Sequence, residues 1–455
     1  MSDVMSKVAR LPAIASLLAA LALLATGCGH PPDPAQFPFS FPGSMVDRPA
    51  MTNHSYSMPL VERLEARLPG ESEQTFHIVE YAAGVLMGNY CRENPGAPCC
   101  TNRTHWPECL AEPFETKDIA IRDAHAKHHG CVEAVFESRP RLPGHLAKGV
   151  FSPGSRYPAW IRFSNGRPAI QADSKKDARG IAVKLMDVPG KKLLTDLVPD
   201  DEKHTQDFIG ANYPRFFIPD IKTYGAFGRA TDTGNLITSG WFFMRHPSLF
   251  LILNRTIGQV TYSPLETTYH SMTPYLLGTR ADGVAVKYQF EPVHCDSDEP
   301  VEPHKRSRKP FDYLEEAMAE RLRDGPDAKP VCIDFSVLER LSDPEDPATQ
   351  SCRDLPVENA ACEWKPKKSR RTSVARIVIP PQSFESEEQM EFCENLSFTP
   401  WHGLADHQPI GGLNRLRRSV YTAISNLRHA LNQQKKQEPT ADPLVPAKAK
   451  TENRQ

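Results

Sequence analysis

The sequence predicts an α+β protein, a mostly antiparallel barrel or sandwich with helices added outside it. Two observations predict it. Short runs rich in β-formers recur at wide spacing through the middle of the chain, and the two sustained helical patterns lie on either side of them. Strands arranged this way argue against alternating βαβ units. With 455 residues, 40% of them hydrophobic, the chain is long enough to bury one large core or two ordinary ones. A formal net charge of -2 leaves no broad basic field, which argues against a nucleic-acid partner.

In chain order, Lys7 and Arg10 precede an apolar run over 14–25 that is too short to span a bilayer comfortably and ends at Thr26, Gly27 and Cys28. Residues 1–27 therefore read as a signal peptide. The stretch LLATGC is similar to a bacterial lipobox, which would leave Cys28 lipid-modified and anchor an exported protein to a membrane, facing the periplasm or cell exterior. Ordinary cleavage nearby is the alternative, because Ala25 stands where leucine is commoner. Residues 28–59, rich in Pro, Ser and polar side chains, read as a flexible tether. Residues 60–117 read as a helical, cysteine-rich region, with a helical period over 72–91 through Phe76, Val79, Ala82, Ala83, Leu86 and Tyr90.

Residues 118–433 carry the main domain. Val132, Ala134 and Phe136 alternate with Glu133 and Glu137, and runs at 160–164, 180–186, 284–290, 331–337 and 374–379 are further strands. Asp282-Gly283 signals a hairpin. Segments 294–308 and 342–371 look inserted or flexible and poor core material. From 412 to about 434, Leu413, Leu416, Val420, Ile424, Leu427 and Leu431 make one helical stripe. The polar, Pro- and Lys-rich residues 434–455 read as a disordered tail.

Of 11 cysteines, a lipid on Cys28 would leave ten, an even number that favours disulfides in an oxidising compartment. The cluster from Cys91 to Cys109 holds no CxxC pair and no CxxCH occurs anywhere, so a zinc ribbon and a covalently attached haem are poorly supported. Connectivity cannot be read from spacing, although Cys352 and Cys362 bracket a short polar loop and are expected to pair.

By itself His125 in RDAHAKHHG admits several readings. In a helix it would share a face with His129 and could hold a metal, yet no third ligand is attached, and a structural histidine is the default. Its company changes that. Arg122, His125, Ala126, Lys127 and Gly130, ahead of a strand ending in Phe136 and Glu137, resemble the distal-histidine segment of the haem catalases. YPAWIRFSN, with Arg162 and Ser164, and DARGIAVKL, with Asp177, Arg179, Gly180 and Lys184, resemble the strands that follow in that family. At strand period Arg162 and Ser164 share a face. DFIGANYPRFFIPDIKTY resembles the family's asparagine segment; matched through Pro214, Phe216 and Phe217, Ala211 stands at the catalytic asparagine and Asn212 one place later. Either Asn212 fills the role, the reading preferred here, or the distal amide is missing. Near the end, Arg417 stands four residues before Tyr421, as in the family's closing block, while Thr422, Ala423 and Ser425 depart from it.

The resemblance covers about 118–429, in order. It implies a catalase-like antiparallel β-barrel core with surrounding helices, and haem b between the barrel and a C-terminal helix. Tyr421 would bind the iron, with Arg417 on its oxygen. His125 would move the proton, Ser164 would orient the imidazole and Asn212 would position the leaving oxygen. Arg122, Arg162 and Arg428 would hold the haem propionates, and Tyr224 would pack on the haem face. Hydrogen peroxide or a small organic hydroperoxide is the implied substrate. Three classes stay open: peroxide decomposition, turnover of an organic or lipid hydroperoxide as in the catalase-related allene oxide synthases, and a non-catalytic haem-binding lipoprotein. The oligomeric state is not read from the sequence, and a homo-oligomer stays open.

Overall fold

The computed structural model describes residues 65, 70–101, 119–194, 203–232, 236–279, 282–340, 357–364, 369–434, 436 and 438–439. The leader, Cys28, the tether, Cys352 and most of the tail lie outside the described residues.

Among the described residues ten strands follow one another: β1 (His128–Ser138), β2 (Arg156–Asn165), β3 (Arg179–Leu185), β4 (Gln206–Ala211), β5 (Tyr269–His270), β6 (Tyr275–Leu277), β7 (Val284–Val293), β8 (Val331–Arg340), β9 (Ser369–Ile379) and β10 (His407–Pro409). Eight of them close a barrel in the order β1-β2-β3-β4-β5-β7-β8-β9 and back to β1, every pairing antiparallel. Closure leaves no open edge among these eight. β6 and β10 extend the sheet beside β7. Asp282-Gly283 does sit in a hairpin, since Leu277 pairs with Val284. Its connection spans 278–283 rather than two residues, and Thr279 donates to the Asp282 carboxylate.

The period of two sorts the barrel's faces. Val132, Ala134 and Phe136 of β1, Ile161 and Phe163 of β2, Ile181 and Val183 of β3, Phe208 of β4 and Ile333, Phe335 and Val337 of β8 fill the interior. Their neighbours point outward. Arg162 and Ser164 of β2 therefore share the outer face with Gly180, Ala182 and Lys184 of β3, as the sequence alternation requires.

Helices cover that outer face. α1 (Glu71–Glu93) is followed by the single turn α2 (Pro98–Thr101), then α3 (Ile221–Asp232), α4 (Leu236–Arg245), α5 (Pro247–Ile257), α6 (Tyr313–Leu322), α7 (Glu387–Asn395) and α8 (Gly412–Leu431). The apolar stripe of α8 buries Ile424, Leu427 and Leu431 against Ala82, Ala83, Leu86 and Met87 of α1. Arg415 ties the two helices further, donating to Glu71 at 2.6 Å and to Glu358 at 3.0 Å. Cys91 is bonded to Cys100, Cys131 to Cys393 and Cys295 to Cys332. Cys362 is also disulfide-bonded.

One expectation is corrected within 342–371. Val357, Ala360, Cys362 and Trp364 are buried, and Val357 packs with Leu276 and Ile410, so this part of the segment is core material after all. Scattered apolar residues without a period hid it. At the tail, the Glu438 carboxylate accepts the His204 backbone N–H.

Candidate active site

Where β1 begins, the ladder is irregular between His128 and Cys131, and Gly130 takes φ 113°. Such a bulge re-aims the chain, which leaves the strand toward His125. The segment is not helical, so His125 and His129 share no helix face; His129 lies in β1 and meets Asn165 at 3.1 Å. No group of three metal-ligating side chains occurs among the described residues.

His125 itself stands at φ 56°, in the left-handed region that a non-glycine residue seldom occupies. Its N–H donates to Gly166 O at 3.2 Å, and its carbonyl accepts Arg122 Nε at 3.0 Å. The ring lies over β3, with Nδ1 3.0 Å from Ser164 Oγ. Space for it comes from Gly180, which pairs with Ser164: a Cβ there would lie 2.6 Å from His125 Nδ1 and 2.9 Å from Ser164 Oγ. Burial, then the charges of Arg162 and Arg122, push the imidazole down to about 4, so it is neutral at ordinary pH.

The same strand row continues to β4, where Ala211 pairs with Gly180. Asn212 follows, buried, its Oδ1 accepting the Arg179 N–H at 2.8 Å. That contact turns the amide's NH2 away from Arg179.

Opposite this wall runs α8. Arg417 Nη2 donates to the Tyr421 hydroxyl at 3.1 Å, and its other nitrogen donates to Thr273 Oγ1 at 3.0 Å. The two walls face each other closely enough that the Arg417 charge bears on His125 and Tyr421 bears on Arg162. Tyr224 of α3 stacks on Phe216 at 6.2 Å, and burial pushes its hydroxyl up.

Arg122, Arg162 and Arg428 gather at one end of the gap, around the C-terminus of α7. Arg122 Nη1 meets Glu394 Oε2 at 2.7 Å, and Arg428 Nη1 donates to Glu394 O at 2.7 Å. Arg162 donates to Leu396 O at 3.0 Å and lies over the Phe398 ring at 4.5 Å, with no carboxylate in ion-pair range among the described residues. Burial, then the charge of Arg122, push Arg162 well below its ordinary value. Burial works to raise the Glu394 carboxyl, yet Arg122, then Arg428, hold it below its ordinary value.

This cluster tests the fit of haem. Three buried guanidiniums face one carboxylate, an excess of two positive charges that burial makes costly unless anions offset it. The two propionates of haem carry that charge, and guanidinium forks suit carboxylates. At the other end an arginine-held phenol oxygen is a hard donor of the kind that ligates haem iron. The residues present fit the group. Sequence reasoning missed Glu394, because EEQMEFCEN looks like a solvated acidic helix; only the excess of arginines elsewhere hinted at a buried acid.

No family model matches the chain. A catalase-related peroxidase of Mycolicibacterium paratuberculosis is 29% identical over 187 residues, which cover 40% of this chain and 55% of that protein. The match thus spans about half of the relative's length. Among solved structures, a fungal catalase superposes with a TM-score of 0.53 at 15% identity, covering 72% of this chain and 63% of its own. A bacterial catalase gives a TM-score of 0.49 at 15% identity, covering 69% of this chain and 58% of its own.

Proposed function

We propose that this protein belongs to the haem catalase superfamily and is an oxidoreductase that decomposes peroxide with haem held between the barrel and α8, a reading supported by its barrel fold and by the similarity to a catalase-related peroxidase. The observation that carries the reading is the neutral imidazole of His125, locked over Gly180 by Ser164 and facing the Arg417–Tyr421 pair.

Haem b, when bound, supplies an iron centre that exchanges electrons with peroxide oxygen. Tyr421 would offer that iron an oxygen donor, its hydroxyl held by Arg417. Arg122, Arg162 and Arg428 would hold the two propionates. With Nδ1 committed to Ser164, His125 has Nε2 to take the proton from a hydroperoxide and return it to the leaving oxygen. The Asn212 amide, its carbonyl fixed on Arg179, has an N–H to give the same oxygen, which supports the one-residue shift over a missing amide. The disulfides and the leader sequence support export, with Cys28 as the proposed lipid-bearing residue.

The test is on the haem-loaded full chain. His125→Ala is expected to keep its haem and lose peroxide consumption by about a hundredfold or more, while Tyr421→Phe loses haem or changes its high-spin spectrum. Turnover by His125→Ala at the wild-type rate overturns the reading. Oxygen release from hydrogen peroxide, set against product formation from a fatty-acid hydroperoxide, separates the catalytic classes.

A further inference from the structure

A helix on a protein surface ordinarily turns its polar side outward. α4 does not. The inner faces of α4 and α5 bury Phe242, Phe243, Leu249 and Leu253 together, as expected. The outer face of α4 is apolar too, with Trp241 54% exposed and Met244 58%, and α5 adds one large apolar side chain, Leu251 at 56%, with Val260 just beyond it at 52%. Met244 follows Trp241 at helical spacing, and Leu251 shares its stripe with Ser248 and Arg255.

The charge around these side chains is of one sign. Between 236 and 260 the chain carries Arg245 and Arg255 and neither Asp nor Glu, and the Arg245 guanidinium lies 5.4 Å from the Trp241 ring. An exposed apolar face with an indole at its rim and only arginines as charges in its own segment matches the interfacial zone of an anionic bilayer, where rings sit at headgroup depth and guanidiniums meet phosphate. A second copy of the same face fits worse. Two-fold pairing would set these arginines against one another with no acid in the segment to answer them.

We propose that the α4–α5 pair is a membrane-docking element that lays Trp241, Met244 and Leu251 into the surface of an anionic bilayer, with Arg245 and Arg255 at the headgroups. The docked face is fixed relative to the candidate active site. Phe242 and Phe243 pack on Phe227 at 5.6 and 6.1 Å, Phe227 on Phe217 at 5.2 Å, and Phe217 on Phe216, which stacks on Tyr224. The proposal stands apart from the lipid proposed on Cys28 and from the peroxide reading.

The experiment uses the full chain floated with vesicles of phosphatidylglycerol and brominated phosphatidylcholine. Whatever else retains the protein on the vesicle, the bromine reads the depth of each indole. Wild type is expected to show a quenched component that Trp241→Phe removes, leaving the signal of the other four tryptophans. Trp241 quenching is expected to be lost in Met244→Ser/Leu251→Ser, whose exposed positions spare the fold, and in vesicles without phosphatidylglycerol. Equal quenching in wild type and Trp241→Phe overturns the proposal. So does a concentration-dependent dimer that the double serine variant dissolves while Trp241 stays unquenched, which would assign the face to a second copy.

Discussion

At position 125 a left-handed backbone is held against a cost of about 1–2 kcal/mol for an L-residue. Two backbone hydrogen bonds and the Arg122 clamp offset it. Gly180 is the counterpart of that strain. Its own φ lies outside the left-handed region, so alanine there fits the backbone and offends the ring above and the Ser164 hydroxyl that holds it. Gly180→Ala is therefore expected to leave melting temperature and circular dichroism near wild type while peroxide turnover falls by about tenfold to a hundredfold, the cost of a displaced catalytic group. Unchanged turnover per bound haem would show that His125 is not positioned by this contact. The family motif made His125, Ser164 and Gly180 visible in the sequence as separate letters. What Gly180 does was not legible, because it depends on the Ser164–Gly180 pairing, a contact between strands.

The elements divide by how regular their neighbours are. β1 was legible by its alternation, and β2, β3, β7, β8 and β9 as short runs rich in β-formers. β5, β6 and β10 are too short to carry a period, and α4 is apolar on both faces, so no pattern stood out there. α7 was unread for a different reason: its acidic sequence hides that its last turn organises the arginine cluster. Cys393 bonds to Cys131 at the start of β1, across a sequence separation of 262, and the carbonyls of Cys393, Glu394 and Leu396 accept from Arg162, Arg428 and Arg122. Cys131→Ser/Cys393→Ser is expected to lower stability by about 2–5 kcal/mol and to weaken haem retention, because the turn that fixes three guanidiniums is no longer tied to the barrel. Urea midpoints together with haem loss to an acceptor protein measure the two effects. Lower stability with wild-type haem retention would confine the disulfide to the fold.

For the molecule as a whole, alternation could not decide between barrel and sandwich. The decision lies in the β7–β8 and β9–β1 pairings that close the sheet, and those join segments separated by the stretches the sequence leaves irregular. Closing the barrel and covering it with helices also buries many histidines, with a consequence for acid stability. His125, His129, His270 and His429 are pushed down to about 4, and His128 and His407 to about 3, in each case chiefly by burial. In the unfolded chain all six return to the ordinary 6.5. As pH falls from 6.5 toward 4 the unfolded state takes up protons that the folded state refuses, so stability is lost through that window. Asp123 and Glu315, held up by burial to about 6 and about 7, act the other way. Six against two leaves a net uptake of about four protons on unfolding, or on the order of 5 kcal/mol per pH unit at about 1.4 kcal/mol per proton. Against a typical stability of about 5–15 kcal/mol, the haem-free protein is expected to be fully folded near neutrality and to unfold within a narrow interval between about pH 5 and pH 4. Urea midpoints across that range, with proton uptake measured on unfolding, make the comparison. A midpoint that stays level from pH 7 to pH 5 would mean that these imidazoles titrate as freely in the folded protein as in the unfolded chain, and that the barrel's outer face is wetter than its packing implies.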